Sequence, residues 1–252
     1  MKKIDLSGKT AIITGATKGI GFSIAKNFLD CNANIIITGT SNIPKDRLLK
    51  KFGKTQSDQT INYYAVDFKI PDETNQFLEE IKMLDKIDIC VNNAGTNHIK
   101  NINYVTRNDI IDLHSVNLYA PFLILSVVLE KMKENNWGRV VNIGSLWSKL
   151  SRVGRSMYST SKFGLNGLTV TSALEYAKYN ILVNMVSPGF INTDLSKKTL
   201  TKIEKEKIEN SIPFGKFADP IAIADPVLFL CSELNHYISG QNIIIDGGYI
   251  CE

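Results

Sequence analysis

Apolar and polar positions are arranged in blocks along this chain. Short, almost purely apolar runs are separated by longer segments in which apolar residues recur at helical spacing. Strands that are apolar throughout are typical of a sheet covered on both faces. The pattern predicts strands over 10–14, 34–38, 61–66, 87–91, 138–144, 182–187 and 242–246, and helices over 19–30, 45–52, 72–84, 106–135, 156–179, 201–210 and 219–233.

The regular succession of strands and helices indicates the fold class. We predict an α/β fold, a Rossmann-like, doubly wound, seven-stranded parallel sheet flanked by helices. No internal repeat or linker divides the chain, so residues 1–252 are expected to form a single domain. The polar segment near 189–213 is expected to be a substrate flap. Asp219 and Pro220 are interpreted as the N-cap and first-turn proline of the last helix.

Composition and charge argue against several classes of protein. Hydrophobic residues make up 44% and charged residues 21% of the chain, as in soluble globular proteins. The 29 basic and 25 acidic residues are dispersed and give a net charge of +4, so no nucleic-acid groove is indicated. No apolar stretch has membrane-spanning length and no signal core follows the N-terminus, which predicts a cytoplasmic protein without a membrane partner.

Two smaller groups of residues were considered as sites. The four cysteines show neither CxxC spacing nor His-rich neighbours, so we expect reduced thiols and no metal site. The basic residues between 45 and 54 fit one solvated helix face, and a partner or phosphate-attracting role is the alternative.

A glycine-rich turn directly follows the first predicted strand. Its residues are Thr14, Gly15, Ala16, Thr17, Lys18, Gly19, Ile20 and Gly21. Glycines permit a tight turn and close approach of the backbone to a pyrophosphate, and the following helix offers free amide donors. Doubly wound sheets bind a dinucleotide at this first turn, so we predict a nicotinamide-cofactor site here.

The end of the second strand bears on the choice between NAD and NADP. NAD sites carry an acid there, whereas this chain has Thr40 and Ser41 and no carboxylate. Lys18 could donate a charge-assisted hydrogen bond to a 2′-phosphate, with the two hydroxyls adding to it. We therefore predict NADP(H); the alternative for Lys18 is a solvated turn residue.

A phenol and an ammonium stand four residues apart in a predicted helix. Tyr158 and Lys162 therefore share one helix face, where the ammonium would favour the phenolate and lower its pKa. Ser145 ends the fifth predicted strand, where its hydroxyl could polarise a carbonyl. Each has an ordinary alternative, a packed aromatic for Tyr158 and a cap for Ser145, so their joint occurrence carries the prediction.

These residues resemble the short-chain dehydrogenase/reductase family over essentially the whole chain. The matching motifs are the turn 14–21, Asn92-Asn93-Ala94-Gly95, Asn117, Ser145, Tyr158 with Lys162, Pro188-Gly189 with Thr193, and Asp246-Gly247-Gly248. The resemblance implies an enzyme that moves a hydride between nicotinamide and a carbonyl or alcohol. It also implies a homo-oligomer, commonly a tetramer, with the helix over 117–135 and the helix of Tyr158 as contact surfaces.

The resemblance further implies a role for each matching residue. Tyr158 would donate or accept the substrate proton, Lys162 would lower its pKa and hold the nicotinamide ribose, Ser145 would orient the carbonyl, and Asn117 would help hold a relay water. The cofactor cleft would be lined by Asn93, Ala94, Gly95, Asp67, Pro188, Gly189, Ile191 and Thr193. From the residues alone, Asp67 could equally be a loop acid and Asn93 a turn residue.

The substrate is less constrained than the chemistry. The chain is similar overall to 3-oxoacyl-thioester reductases, but Thr96-Asn97-His98 differs from what many of them carry. A sugar or amino-sugar substrate is the alternative, and a non-catalytic NADP-binding regulatory protein is the alternative of another class. Pocket candidates are Leu146, Trp147, Arg152, Arg155, His98 and the segment 195–200. Arg152 and Arg155 could meet an anionic substrate or could simply be solvated, and His98 could be a loop residue.

Overall fold

The computed structural model describes residues 3–53, 59–193 and 201–251. Its centre is one seven-stranded sheet with strand order β3-β2-β1-β4-β5-β6-β7, in which every pair of neighbours is parallel. The strands are β1 Thr10–Ile13, β2 Asn34–Gly39, β3 Ile61–Ala65, β4 Ile89–Asn92, β5 Gly138–Ile143, β6 Ile181–Pro188 and β7 Asn242–Ile245. The predicted doubly wound parallel sheet is confirmed.

Helices connect the strands and cover the sheet. They are α1 Gly19–Asp30, α2 Lys45–Phe52, α3 Pro71–Lys82, α4 Arg107–His114, α5 Ala120–Glu134, α6 Ser156–Tyr176, α7 Lys202–Glu209 and α8 Ile221–Leu230. Sequence order along the sheet reverses at β1, which lies between β2 and β4. A crevice at such a switch point is the usual ligand site of an open α/β sheet.

Two apolar clusters, one on each face of the sheet, form the core. Successive residues of β1 belong to different clusters. Ile13 packs with α1 and α8, whereas Ile12 packs with α3 and α5. Because neighbouring side chains of a strand point to opposite faces, a strand buried on both sides must be apolar at every position. This accounts for the unbroken apolar runs in the sequence.

Two local features differ from the sequence-based prediction. The helix predicted over 106–135 is divided into α4 and α5 by a π-helical turn, Ser115–Tyr119. Asp219 is not the N-cap of α8: Pro220 holds that position, and the Asp219 carboxylate accepts a hydrogen bond from Asn192 Nδ2 at 3.3 Å instead. Within the predicted flap, residues 194–200 lie outside the described part of the chain.

The helical stretch Arg107–Glu134 is long and apolar enough to span a membrane by length and composition alone. A third of its most apolar window is buried inside the protein. Ile124, Val128 and Met132 of α5 pack in the apolar cluster with β4 and β5. We therefore regard this stretch as a core helix of the fold.

Candidate active site

The glycine turn between β1 and α1 is built for close backbone approach. Gly15 and Gly19 have positive φ angles of 64° and 59°. A Cβ on Gly15 would lie 2.9 Å from Ala94 Cα, and one on Gly21 would lie 2.6 Å from Gly15 O. Side chains at these positions would clash with the loop after β4 and with the turn itself, so the glycines allow the tight turn that begins α1. Ile20 packs partly buried against the core.

Asn93 fixes the glycine turn to the loop after β4. Its Nδ2 donates to Thr14 O at 2.9 Å and to Gly15 O at 3.1 Å. The Thr14 hydroxyl accepts from the backbone N–H groups of Asn93 and Ala94 at 3.0 and 2.9 Å. The Asn93 amide nitrogen thus braces the neighbouring turn, a role the sequence did not predict.

The end of β2 meets the glycine turn from the other side. A Cβ on Gly39 would lie 2.6 Å from Thr17 Cγ2, so the glycine allows the two segments to touch. Thr40, Ser41 and Lys18 are exposed next to this contact. Three exposed polar side chains thus lie beside the glycine turn, and their contact with a cofactor stays a prediction.

Lys51 belongs to the basic residues between 45 and 54, for which a solvated helix face and a phosphate-attracting role are the two interpretations. From α2 its ammonium donates to the Thr17 carbonyl and lies 4.9 Å from the ring centre of Phe22. The stacking of Phe22 on Phe52, with ring centres 4.8 Å apart, holds α2 against α1. A second ammonium is thereby placed beside the glycine turn, on the side of Thr17.

Asp67 is engaged locally. Its Oδ1 accepts from Lys69 N at 3.0 Å, and its Oδ2 lies 3.4 Å from Lys69 Nζ. Its own backbone N–H donates to Glu73 Oε2 at 2.6 Å. These contacts shape the turn after β3, and the predicted contact of Asp67 with the cofactor stays a prediction.

Ser145 is placed at the end of β5 by a network of small polar side chains. Its hydroxyl lowers the pKa of the Tyr158 phenol and accepts a hydrogen bond from Trp147 N at 3.4 Å. The hydroxyl of Ser148 donates to Ser145 O at 2.7 Å and accepts from Asn242 Nδ2 at 2.9 Å. The structure therefore brings Ser145 and Tyr158 together, although 12 residues separate them along the chain.

Burial dominates the titration of Tyr158 and Lys162. Burial raises the pKa of Tyr158, while the Ser145 hydroxyl and the positive charge of Arg155 oppose that rise. Burial lowers the pKa of Lys162 to about 8. Its Nζ lies 5.8 Å from the Tyr158 ring centre and donates to Ile143 O at 2.8 Å. The positive charge of Arg155 also favours the phenolate, and the lowering of the Tyr158 pKa by Lys162 stays a prediction.

Asn117 lies in the π-helical turn between α4 and α5 and is completely buried. Its Oδ1 accepts from Thr96 N at 2.8 Å, and its Nδ2 donates to Thr96 O at 2.9 Å and Ser161 Oγ at 3.2 Å. A Cβ on Gly95 would lie 3.6 Å from Asn117 Oδ1 and 3.8 Å from Lys162 Nζ. Asn117 therefore holds the loop after β4 beside Lys162.

The segment after β6 closes the crevice from the far side. Gly189 N donates to Ile245 O at 2.8 Å, and a Cβ on Gly189 would lie 2.7 Å from Asp246 Cα. Pro188 ends β6 and Ile191 is buried. A Cβ on Gly19 would meet Thr193 Cγ2 at 3.5 Å, so this segment reaches the glycine turn.

The arrangement fits a dinucleotide on two observations. Lys162 is 3% exposed, and among the described residues its ammonium makes one hydrogen bond, so further donors can serve ligand hydroxyls. At the other end, Gly15, Gly21 and Gly39 allow tight packing around the turn before α1, the position at which doubly wound sheets bind a pyrophosphate. The glycine turn follows the carboxyl end of β1, and the helix that carries Tyr158 and Lys162 follows β5.

Comparisons with known proteins agree with this geometry. Residues 9–204 match the family described as short chain dehydrogenase. The 3-oxoacyl-[acyl-carrier-protein] reductase FabG of Aquifex aeolicus is 39% identical, covering 98% of this chain and 99% of the relative; that of Rickettsia bellii is 35% identical over the same shares.

A gluconate 5-dehydrogenase of Burkholderia cenocepacia, solved with NADP and tartrate, superposes with a TM-score of 0.89. It is 25% identical in sequence and covers 98% of this chain and 97% of its own. The fold, the motif order and the family match agree over most of the chain. The chain belongs to the short-chain dehydrogenase/reductase family, whose oxidoreductases act on alcohols and carbonyls.

Proposed function

We propose that this protein is an NADP(H)-dependent reductase of a carbonyl compound, or a dehydrogenase of the matching alcohol. The observation that carries the proposal is the placement of the buried Lys162 ammonium 5.8 Å from the Tyr158 ring centre, next to the end of β5 that Ser145 follows. When bound, the nicotinamide supplies or accepts the hydride. Tyr158 then gives its phenolic proton to the carbonyl oxygen, which the Ser145 hydroxyl holds in place.

The surrounding residues position this pair. Lys162 is fixed by its hydrogen bond to Ile143 O, and its remaining donors would hold the ribose hydroxyls of the cofactor. Asn117 holds the loop after β4 against Lys162 through its two bonds to Thr96. Because its amide nitrogen also donates to Ser161, we assign Asn117 as a positioning residue of the proton path.

Two exposed ammonium groups support NADP(H). Lys18 and Lys51 flank Thr17, and the end of β2 carries the hydroxyls of Thr40 and Ser41 in place of a carboxylate. A 2′-phosphate next to Thr17 would meet positive charge and hydroxyl donors. The expected cofactor contacts of Gly15, Gly19, Ala94, Gly95 and Thr193 belong to the same proposal, as does the single-domain organisation with a substrate flap near 189–213.

A 3-oxoacyl thioester is our first candidate substrate, because FabG reductases match almost the full chain. A sugar or sugar-acid substrate is the second, supported by the likeness to the gluconate 5-dehydrogenase structure. We place the enzyme in the cytoplasm, where its four free thiols would stay reduced. A protein that binds NADP(H) without turnover is the alternative of another class.

The test is NADPH oxidation in the presence of acetoacetyl thioesters, keto sugars and simple ketones. We expect turnover with at least one thioester or keto sugar. NADPH binding without oxidation of any compound would favour the non-catalytic alternative.

A further inference from the structure

Arg155 has a buried donor that the protein leaves unused. Its Nη1 is inaccessible to solvent and has no hydrogen-bond partner among the described residues. Burial lowers the pKa of this guanidinium, but arginine stays charged in proteins. A buried charged donor without a partner is costly, so such a group is expected where a ligand completes its hydrogen bonds.

The surroundings of Arg155 are positive. Its guanidinium lies 5.6 Å from the ring centre of Trp147, and that of Arg152 lies 5.9 Å from the same ring. In the described part of the chain, no carboxylate forms an ion pair with either arginine. Arg155 is also the N-cap of α6, whose first turn has no acidic residue and no side-chain cap. The positive end of the helix dipole therefore adds to the charge of the guanidinium.

Arg155 lies beside the reacting groups. It precedes Tyr158 by less than one helical turn, and its charge acts on the phenol. Trp147, on which it packs, belongs to the short turn that begins after Ser145. The loop after β4 is tied to the same place, because Lys100 N donates to Gly154 O at 3.0 Å. That loop contains a second buried atom without a described partner, Asn97 Oδ1.

Arg152 serves as an internal comparison. It is exposed, so solvation satisfies its guanidinium, as expected of an ordinary surface arginine. Arg155 is only partly exposed, and its Nη1 is shut off from water. Both arginines lie next to the Trp147 ring, but they differ in burial. Water can solvate the guanidinium of Arg152, whereas Nη1 of Arg155 needs a ligand to complete its hydrogen bonds.

We propose that Arg155 binds an oxyanion of the substrate, a carboxylate or a phosphate, with the Trp147 ring as the wall of the subsite. This inference rests on the proposed function, because it assigns the substrate class of that same site. A planar guanidinium pairs with either oxyanion through two parallel hydrogen bonds. Neutral ketones would then be poor substrates, and the carbonyl would be carried by a molecule with a terminal anionic group.

Matched substrate pairs test the proposal and separate the two sources of the oxyanion. In the first pair, 5-keto-D-gluconate and L-sorbose differ by a carboxylate against a hydroxymethyl group. In the second, acetoacetyl-4′-phosphopantetheine and acetoacetyl-pantetheine differ by a phosphate. We expect the anionic member of one pair to have the higher kcat/KM with the wild-type protein and NADPH.

The variant Arg155→Gln should lower the kcat/KM ratio of anionic to neutral substrate by about 10- to 100-fold, the loss expected for charge-assisted hydrogen bonds. Arg155→Lys, which keeps the charge, should restore part of the ratio. Arg152→Gln should change the ratio less than about 3-fold, because that side chain is exposed. Any effect of Arg155 on the Tyr158 phenol changes kcat/KM for the anionic and the neutral substrate alike, so it cancels in their ratio.

Calorimetric titration of tartrate and of inorganic phosphate gives a readout that needs no turnover. Binding that Arg155→Gln abolishes supports the anion subsite even if no carbonyl is reduced, in which case only the proposed function fails. Turnover in which the two members of both pairs react equally, or a ratio that Arg155→Gln leaves unchanged, overturns the subsite and leaves the reductase standing. If the protein shows no turnover and binds neither tartrate nor inorganic phosphate, both the anion subsite and the proposed function are overturned.

Discussion

At the scale of single residues, Lys162 carries an ammonium into the interior at a cost that depends on pH. It is 3% exposed, and burial lowers its pKa from 10.5 to about 8. That difference corresponds to roughly 3 kcal/mol of destabilisation when the folded protein must hold the proton. The penalty is complete below pH 8 and disappears above the pKa of the unfolded chain.

Replacing this ammonium with an apolar side chain should therefore stabilise the fold near neutrality. At pH 7 we expect Lys162→Met to raise the free energy of unfolding by about 2 kcal/mol. The variant gains roughly 3 kcal/mol because no ammonium is buried, and loses about 1 kcal/mol with the hydrogen bond to Ile143 O. The wild type binds fewer protons folded than unfolded between pH 8 and 10.5, so its stability relative to the variant rises across that window. Urea unfolding at several pH values measures this.

Lys26→Met is the matched control, because Lys26 is half exposed in an (i,i+4) pair with Asp30. Its effect on the free energy of unfolding should be small and flat with pH. A difference between wild type and Lys162→Met that stays constant from pH 7 to 10.5 would contradict the account.

Residue types and spacing predicted that Ser145, Tyr158 and Lys162 lie together, since the motif order fixes the strands and helices that bring them there. They did not predict which polar atoms remain without a partner. The bonds of Asn117 to Thr96, of Asn93 to Thr14 and of Asp67 to Lys69 depend on how loops meet. No periodicity in the sequence encodes such contacts.

At the scale of elements, the turn between β1 and α1 and the helix α2 together form the adenosine end of the proposed cofactor site. Lys18→Ala and Lys51→Ala should each weaken NADPH binding about 10-fold or more, the loss expected of one charge-assisted hydrogen bond, and leave NADH binding nearly unchanged. Fluorescence titration with both cofactors measures the effect.

Lys50→Ala is the control on α2, because Lys50 is exposed and is neighbour to Lys51 in the chain. Equal affinity of the wild type for NADPH and NADH would show that the NADP preference is wrong. If Lys51→Ala leaves the NADPH affinity unchanged while Lys18→Ala lowers it, α2 does not contribute to the site and Lys18 is the ammonium that binds the 2′-phosphate.

Most element boundaries were predictable to within a few residues, because apolar runs mark the strands and glycines or prolines mark several ends. The π-helical turn Ser115–Tyr119 was not, since one inserted residue barely disturbs a long apolar helix pattern. Asp219 was misplaced for a similar reason: a good capping residue before a proline predicts an N-cap, but the contact with Asn192 takes its carboxylate elsewhere.

At the scale of the whole molecule, α5 and α6 bear apolar side chains that the monomer leaves uncovered. Phe122 is 57%, Phe163 49% and Leu174 78% exposed, whereas Leu125, Leu129 and Leu165 are buried in the core. Exposed apolar surface of this kind favours association. We propose that these two helices form the contacts of a homo-oligomer, with a tetramer as the expected state.

Light scattering should give a mass that is a multiple of the chain mass. Phe122→Glu should shift the mass toward the monomer by placing a charge in the contact, whereas Lys133→Glu, at the far end of α5, should not. A monomeric wild type would contradict the proposed homo-oligomer and would leave the proposed reaction unaffected.

The central claim is that Tyr158 moves the substrate proton in an NADPH-dependent reaction, and Tyr158→Phe tests it most directly. The phenylalanine keeps the aromatic ring and removes the hydroxyl that would carry the proton. With the best carbonyl substrate of the wild type, kcat for NADPH oxidation should fall by about 10²- to 10⁴-fold, while the Kd for NADPH stays nearly unchanged. Retained turnover with intact NADPH binding would contradict the account.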